Sequence, residues 1–500
     1  NNRRAIASMV VVWSPMGQVY PCIVGGEKVY SPTGAVFKDF NPADSSEVLA
    51  EFPLLTREEV ARAIDLAQEA QVKWAKMPAP ERGRILVRAA QIMEDQAEEL
   101  AKTLTREEGK TLSESRAEVG RAISIFRFYG VMGYRLRGEF VASAEHNTYL
   151  FTTREPLGVV SIITPWNFPI AIPSWKIAPA LVCGNSVVFK PASYTPLIGY
   201  RIVEALHKAG LPPGVLNFVT GGGASIGAEM INNPRISAIS FTGSLEVGEE
   251  IRRIAAAGKG VRVQLELGGK NPAVVLADAD IDRAVEMVVR GAFGLTGQAC
   301  TATSRAIIEE QIFDEFVRKL VERTRRIRVG NGLEDGVEMG PVVGEKELNK
   351  ILSYIEVGVS EGAKLIYGGR RLTDGALSRG YFVEPTIFSD VTPDMRIAQE
   401  EIFGPVLALM RASSFDEAVE LANKIEYGLS ASIFTRNLQR AFDFIRMIEA
   451  GVVKVNKPTT GLEPQVPFGG FKKSSYGMIK EQGEAALDFY TKVKTVYLSY

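Results

Sequence analysis

The stretch "LGVVSIIT", Leu157 to Thr164, followed at once by "PWNFP", Pro165 to Pro169, carries most of the information about the fold. A short run rich in β-branched residues that ends at Thr-Pro reads as a strand buried on both faces. Three more runs of the same texture follow, "NSVVFKP", "VLNFVTG" and "AISFTG", each ending in Gly, Pro or Thr. Helical stretches such as "PLIGYRIVEALHKAG" and "GAEMINNP" separate them. Buried strands alternating with helices describe a doubly wound, mainly parallel α/β sheet. After Gly269 the pattern returns as "NPAVVLAD", "SRAIIEE", "AKLIYGG", "PVLALMRA", "SASIFT" and "GVVKVN". Two tandem α/β domains are therefore expected, with a boundary near "LELGGKNP".

Outward from this centre the texture changes. The first 135 residues read as mostly helical, with apolar residues at three- and four-residue intervals from Arg57 to Met77 and from Pro78 to Lys110. The last segment, "KVKTVYLSY", reads as a strand with no helix after it, the kind of edge that pairs with a distant hairpin or another subunit.

Composition narrows the function classes. The chain has 500 residues, 46 % of them apolar and 23 % charged, with a net charge of −1. That balance offers no electrostatic case for nucleic acid or an anionic membrane surface. No apolar run approaches the length needed to span a bilayer. The opening "NNRRAIASMVVVWSP" has basic residues and an apolar patch, but Trp13, Ser14 and Pro15 interrupt it, so it does not read as a secretory leader. The three cysteines, Cys22, Cys183 and Cys300, make neither a disulfide framework nor a metal knuckle, and a reducing, cytoplasmic compartment is expected. Both histidines, His146 in a loop and His207 near a helix end, read as solvated structural residues. A chain this poor in imidazole lacks the usual base for a serine triad and the usual zinc ligands. If Cys300 is a nucleophile, its base is a carboxylate, and no metal is required.

Several short motifs carry chemistry. "GGGASIG" departs from the usual dinucleotide fingerprint, its glycines at 221, 223 and 227 giving GxGxxxG; by itself it weighs no more than a simple turn. "FTGSLEVG" places Gly243 and Ser244 where a strand turns into a helix, a phosphate cradle or an N-cap. Lys190 ends the strand in "FKPASYTP". Two prolines flank Asn167 in "TPWNFP", and a rigid amide there would donate to an oxyanion. Glu266 in "QLELGGK" sits in an apolar strand, where burial pushes a carboxyl towards the pKa of a general base, a structural ion pair being the equal alternative on this motif alone. "TGQACTA", Thr296 to Ala302, sets Cys300 among small neighbours that leave the sulfur open from two sides.

Taken in order, "TPWNFP", "FKPA", "FTGS", "LELGGK", "GQAC", "EEIFGP" and "PFGG" resemble the aldehyde dehydrogenase superfamily from about Asn41 to Tyr497. The resemblance implies Cys300 as nucleophile, Glu266 as general base and Asn167 as oxyanion donor. It implies cofactor contacts from Thr164, Pro165, Trp166, Lys190, Ala192, Ser193, Gly221, Gly223, Gly227, Phe241, Gly243, Ser244, Gly248, Leu267, Glu401 and Phe403. It also implies a cofactor domain (1–137 and 157–266), a catalytic domain (267–456) and an oligomerisation flap with the C-terminal segment (138–156 and 457–500) in a dimer or tetramer. Relatives that prefer NAD often carry a glutamate three residues after the motif lysine. Ser193 stands there, so NADP is expected to be preferred, with NAD as the alternative.

The C-terminal run most resembles dehydrogenases of 2,5-dioxopentanoate. Arg121 is then expected to clamp a distal carboxylate, the alternative being a solvated helix arginine, with Phe168, Ile172, Trp175 and Phe468 as pocket walls. Succinate semialdehyde, glyceraldehyde 3-phosphate and broad aliphatic aldehydes remain alternatives. A CoA-acylating enzyme commonly lacks the base glutamate, and a non-redox thioester hydrolase would leave the phosphate turns unused.

Overall fold

The computed structural model describes residues 18–257 and 260–500. The opening segment read against a leader, Asn1 to Pro15, lies outside the described residues. Two seven-stranded sheets and a three-stranded sheet organise the chain, with two small two-stranded ribbons. In the first large sheet the strand order is Arg262–Glu266, Ile236–Thr242, Val159–Ile163, Ser186–Lys190, Leu216–Phe218, Cys22–Val24, Glu27–Val29. The first five are parallel and the last two antiparallel. Strand order therefore reverses between Val159–Ile163 and Ile236–Thr242, and ligands of open α/β sheets bind outside the carboxyl ends at such a point. "PWNFP" leaves one of these two strands and "GS" (Gly243 and Ser244) leaves the other.

The second large sheet runs Lys364–Tyr367, Thr386–Ser389, Val406–Ala412, Thr303–Glu309, Asn271–Val275, Ser430–Phe434, Val452–Val455, parallel except for its first strand. The chain leaves the carboxyl end of the first sheet at Glu266 and enters the amino end of a second-sheet strand at Asn271. Cys300 lies three residues before the strand Thr303–Glu309, and Phe403 three before Val406–Ala412. The nucleophile and the Glu401–Phe403 loop thus meet the switch point of the first sheet from the opposite side.

The amino-terminal part departs from the helical reading, because four strands precede the first helix, among them the hairpin Val36–Asn41/Asp44–Pro53. Two of them are only three residues long, too short for alternation to show in sequence. The long helices are Arg57–Lys76, Ala79–Asp95, Ala97–Glu108 and Leu112–Met132. Capping boxes at Thr56/Glu59 and Thr111/Glu114 start two of them. The last strand, Thr491–Ser499, pairs antiparallel with Thr148–Pro156 over nine residues. Among the described residues no helix is long and apolar enough to cross a membrane.

Candidate active site

Cys300 is held on a strained loop. Leu295, Thr296 and Gly297 all take positive φ, near 55°, 57° and 67°. Positive φ at two non-glycine residues costs free energy, so surrounding bonds must impose it. Glu114 Oε1 accepts from Leu295 N at 2.7 Å, and Thr296 Oγ1 donates to Gly340 O at 2.9 Å. Gly297 is required by contact as well as by φ: a Cβ there would sit 2.1 Å from Gly404 O, so the two loops touch back to back. Beyond the sulfur, Asn271 Nδ2 donates to Cys300 O at 2.7 Å and to Ala302 O at 2.8 Å. The thiol is half-buried. Burial first, then the carboxylates of Glu401, Glu266 and Glu481, push it well above an ordinary cysteine.

Two cavities meet at this sulfur. One, of about 390 Å³, is lined by Pro165, Trp166, Asn167, Gly243, Ser244 and Leu267 from the first sheet's switch point, and by Glu401 and Phe403. The other, of about 200 Å³, is lined by one face of the helix Leu112–Met132 (Glu114, Ala117, Glu118, Arg121), with Phe168, Trp175 and Arg290. Of the residues lining them, Cys300 alone is common to both.

The first cavity fits the nicotinamide end of a dinucleotide. The Asn167 side chain has no protein partner among the described residues, and its buried Oδ1 is unsatisfied. Glu401 Oε1 accepts from Gly269 N at 3.0 Å, and a Cβ on Gly268 would come within 2.5 Å of its other oxygen. Phe403 is held at φ 62° with its ring edge-on to Trp166, centroids 5.3 Å apart. Gly248 lets its helix approach Leu267, whose Cδ2 would be 2.4 Å from a Cβ there. Phe241 is buried beneath Gly243, and Ser244 Oγ accepts from Val247 N at 3.5 Å, so the serine both lines the cavity and caps its helix loosely.

Lys190, Ala192, Ser193 and the turn at Gly221, Gly223 and Gly227 stand outside this lining. Lys190 is buried, its ammonium bonded among the described residues only to Pro191 O at 3.3 Å, and burial pulls its pKa down to about 8. A desolvated cation without an acidic neighbour suits ribose hydroxyls or a phosphate. Ser193 is exposed beside it, Ala192 is half-buried, and Thr164 N donates to Lys190 O at 3.2 Å. Nothing lies within 4 Å of where a Cβ would stand on Gly223 or Gly227, so packing does not demand glycine at either.

Glu266 is close enough to Cys300 for its charge to act on the thiol, yet it lines neither cavity. Its Oε2 accepts from Ser475 Oγ at 2.8 Å, and Gly469 leaves room for Oε1, which would be 2.7 Å from a Cβ there. Burial, then the charge of Glu481, holds its pKa well above the carboxylate range. Beside it Glu481 takes bonds from Trp175 Nε1 at 2.7 Å and from Lys176.

Arg121 is half-buried on the second cavity, and no carboxylate lies within ion-pair distance of it or of Arg290 among the described residues. The two carboxylates of that cavity are already used. Glu114 binds Leu295 N and Thr111 N; Glu118 binds Ile170 N, Ala171 N and Lys110. Phe168 and Trp175 line the second cavity. Ile172 is a correction: it is sealed in the core and lines neither cavity. Phe468 also moves, packing on Trp175 at 6.0 Å and lining a wider cavity further out. His207 departs from its solvated reading: it is half-buried and its Nε2 is 3.3 Å from Leu216 O. Among the described residues no cluster of three metal-ligating side chains occurs.

Sequence reasoning missed Arg290, Ser475, Lys110 and Glu118. It also missed Lys346 and Lys350, which stand one helical turn apart on the first cavity's rim. Only that i, i+4 spacing offered a signal.

The family model described as "Aldehyde dehydrogenase family" matches residues 30–496. The chain is 50 % identical over 472 residues to the 2,5-dioxopentanoate dehydrogenase of Saccharolobus solfataricus, covering 94 % of this chain and 98 % of that one. It is 48 % identical over 479 residues to the alpha-ketoglutaric semialdehyde dehydrogenase of Bacillus subtilis, covering 96 % and 98 %. A solved structure of betaine aldehyde dehydrogenase from Staphylococcus aureus in complex with NAD+ superposes with a TM-score of 0.93 at 35 % identity, covering 96 % and 95 %.

Proposed function

The chain belongs to the aldehyde dehydrogenase family, and on that premise we propose that it oxidises 2,5-dioxopentanoate, or a closely similar carboxylated semialdehyde, to the carboxylate through Cys300. The observation that carries this reading is the position of the sulfur between two cavities, one shaped for a dinucleotide and one bearing unpaired guanidinium groups. The relatives' substrates support it: the two named above act, by their names, on 2,5-dioxopentanoate and alpha-ketoglutaric semialdehyde.

In this reading Cys300 Sγ attacks the aldehyde carbon from the cationic cavity. The developing oxyanion is met by the Asn167 side chain, which has no other partner to release. Glu401, Ser244 and Trp166 line the cavity that would hold the nicotinamide end of a dinucleotide, with Lys190 beyond it, and that cofactor would supply the hydride acceptor; loss of the hydride from the adduct leaves a thioester on Cys300. Glu266 then takes a proton from water, which attacks the thioester and frees the thiolate. Lys190 and Ser193 favour NADP over NAD, since the serine can donate to a 2′-phosphate that a carboxylate would repel.

Residues 1–137 with 157–266 act as the cofactor domain and 267–456 as the catalytic domain. The sheet formed by 138–156 and the C-terminal segment joins subunits into a dimer or tetramer. It presents Phe140, Tyr149, Val493 and Tyr497 to solvent, the last 72 % exposed.

Arg121 clamps the distal carboxylate. Steady-state kinetics of Arg121→Ala on 2,5-dioxopentanoate and on hexanal test this. KM for the charged aldehyde should rise by about 1.5–3 kcal/mol equivalent, tenfold or more, with little change for hexanal. Equal effects on both remove Arg121 from the site.

A further inference from the structure

Beyond the reaction cavity lies a wider one of about 870 Å³, which shares Arg121, Arg290, Thr460, Gly461 and Leu462 with it. Its lining carries five cations, Arg121, Arg283, Arg290, Lys454 and Lys457, against a single carboxylate, Glu463. Among the described residues none of the five has a carboxylate within ion-pair distance. Arg283 donates to Asn456 O at 3.2 Å and Lys454 to Thr460 O at 2.5 Å, so both are fixed by backbone while their charge stays uncompensated. Glu463 takes its hydrogen bond from Gln465 instead.

The chain as a whole is nearly neutral, and many surface cations elsewhere among the described residues are paired. Five unpaired cations gathered around one opening are therefore a local field, focused by the low-dielectric walls of Val452, Val453 and Phe468. Burial, followed by the charges of Lys457 and Arg121, pulls Lys454 down to about 8, which reflects the same crowding of positive charge.

We propose that this outer cavity is a capture site for anionic aldehydes, in which Lys457, Arg283 and Lys454 draw a carboxylated substrate from solvent and Arg290 passes it to Arg121 at the throat. The proposal rests on the substrate reading above and adds a second anion position outside the reaction cavity. It makes selectivity for the charged aldehyde a matter of approach as well as of binding. Arg290 is suited to the transfer because it lines both cavities and holds no competing partner.

Ionic strength separates the two contributions. At saturating dinucleotide, kcat/KM for 2,5-dioxopentanoate should fall about tenfold as salt rises from about 10 mM to about 500 mM, while that for hexanal changes less than about twofold. Lys457 is exposed and its ammonium makes no protein bond among the described residues, so its replacement leaves the fold intact. Lys457→Glu should lower the ratio of kcat/KM for the charged over the neutral aldehyde about fivefold at low salt and flatten its salt dependence. A preference for 2,5-dioxopentanoate that ignores both salt and this charge reversal overturns the capture site alone. An enzyme that prefers hexanal at every salt concentration overturns the substrate reading, and the capture site with it.

Discussion

A thiol raised well above its ordinary pKa is almost wholly protonated at neutral pH, so Cys300 needs help to become a nucleophile. The nearby carboxylates that raise it are those of Glu401, Glu266 and Glu481. Replacing Cys300 by alanine should abolish aldehyde oxidation while dinucleotide binding, measured by fluorescence titration, persists. Glu266→Gln should give a single burst of reduced dinucleotide followed by slow turnover if deacylation is the step that needs the base; a variant without the burst assigns Glu266 to activating the thiol as well. The pH dependence follows with a definite sign. Glu266 must be ionised to act and its pKa is raised, so kcat should climb with pH through a limb lying above the usual carboxylate range. The Ser475 hydroxyl donates to the ionised form and opposes the shift. Ser475→Ala should move that limb to higher pH, and an unmoved limb would detach Ser475 from the base. At the cofactor's other end, Ser193→Glu should shift kcat/KM from NADP towards NAD by about tenfold, on the scale of about 1–2 kcal/mol for one charge repelling another near the surface. Equal ratios before and after would refute the role of Ser193.

Elements explain why some of these residues were legible and others were not. The strands that bear Lys190 and Thr242 are mainly apolar runs, while the one that bears Glu266 alternates polar and apolar residues; the turns after all three are marked by Gly or Pro, so both fold and motif showed in sequence. Asn167 was legible for the same reason, between two prolines. Its support was not. Lys110 Nζ donates to Asn167 O at 2.6 Å and to Glu118 Oε2 at 2.6 Å, while Glu118 Oε1 accepts from Ile170 N and Ala171 N. In sequence Lys110 and Glu118 look like ordinary helix charges; only tertiary packing buries them. Ile172 erred in the opposite direction, because an apolar helix residue near a site can face the core as easily as the pocket. Burial pulls the Lys110 ammonium down, but Glu108 and Glu118 outweigh it and keep it charged. Removing Lys110 strands the buried Glu118, and removing Glu118 leaves the Lys110 ammonium only the Glu108 carboxylate at 3.8 Å, a loss of up to about 3–5 kcal/mol. Glu118→Ala should therefore unfold at lower denaturant concentration and lose oxyanion stabilisation together. Lys110→Met with Glu118→Gln should recover much of the stability without recovering full kcat, because Asn167 O has still lost its donor. A double variant as unstable as the single one would sink the account.

At the scale of the whole molecule, the two large sheets do different work because they face each other end to end. The first offers the carboxyl ends of its strands at a topological switch, and the second offers amino ends that carry the nucleophile loop. The orphan strand at the C-terminus, legible from sequence as an edge, pairs in register with Thr148–Pro156 from Thr491 to Ser499. That sheet carries large apolar side chains in the open: Phe140 is 70 % exposed, Val493 61 % and Tyr497 72 %. An open antiparallel sheet with this much apolar surface is unfavourable in water unless something covers it. Its contacts with the large domains are few, so its loss should leave the active-site geometry of a subunit in place. Ending the chain after Thr491 should therefore reduce the assembly seen by light scattering to a monomer. Dinucleotide binding should survive in that monomer, since no residue of the first cavity lies beyond Phe403. A truncated chain that still forms the full-size assembly would place the subunit contact elsewhere. The exposed stripe Leu438, Phe442 and Ile445 on the helix Leu438–Met447 is the next surface to test by charge substitution.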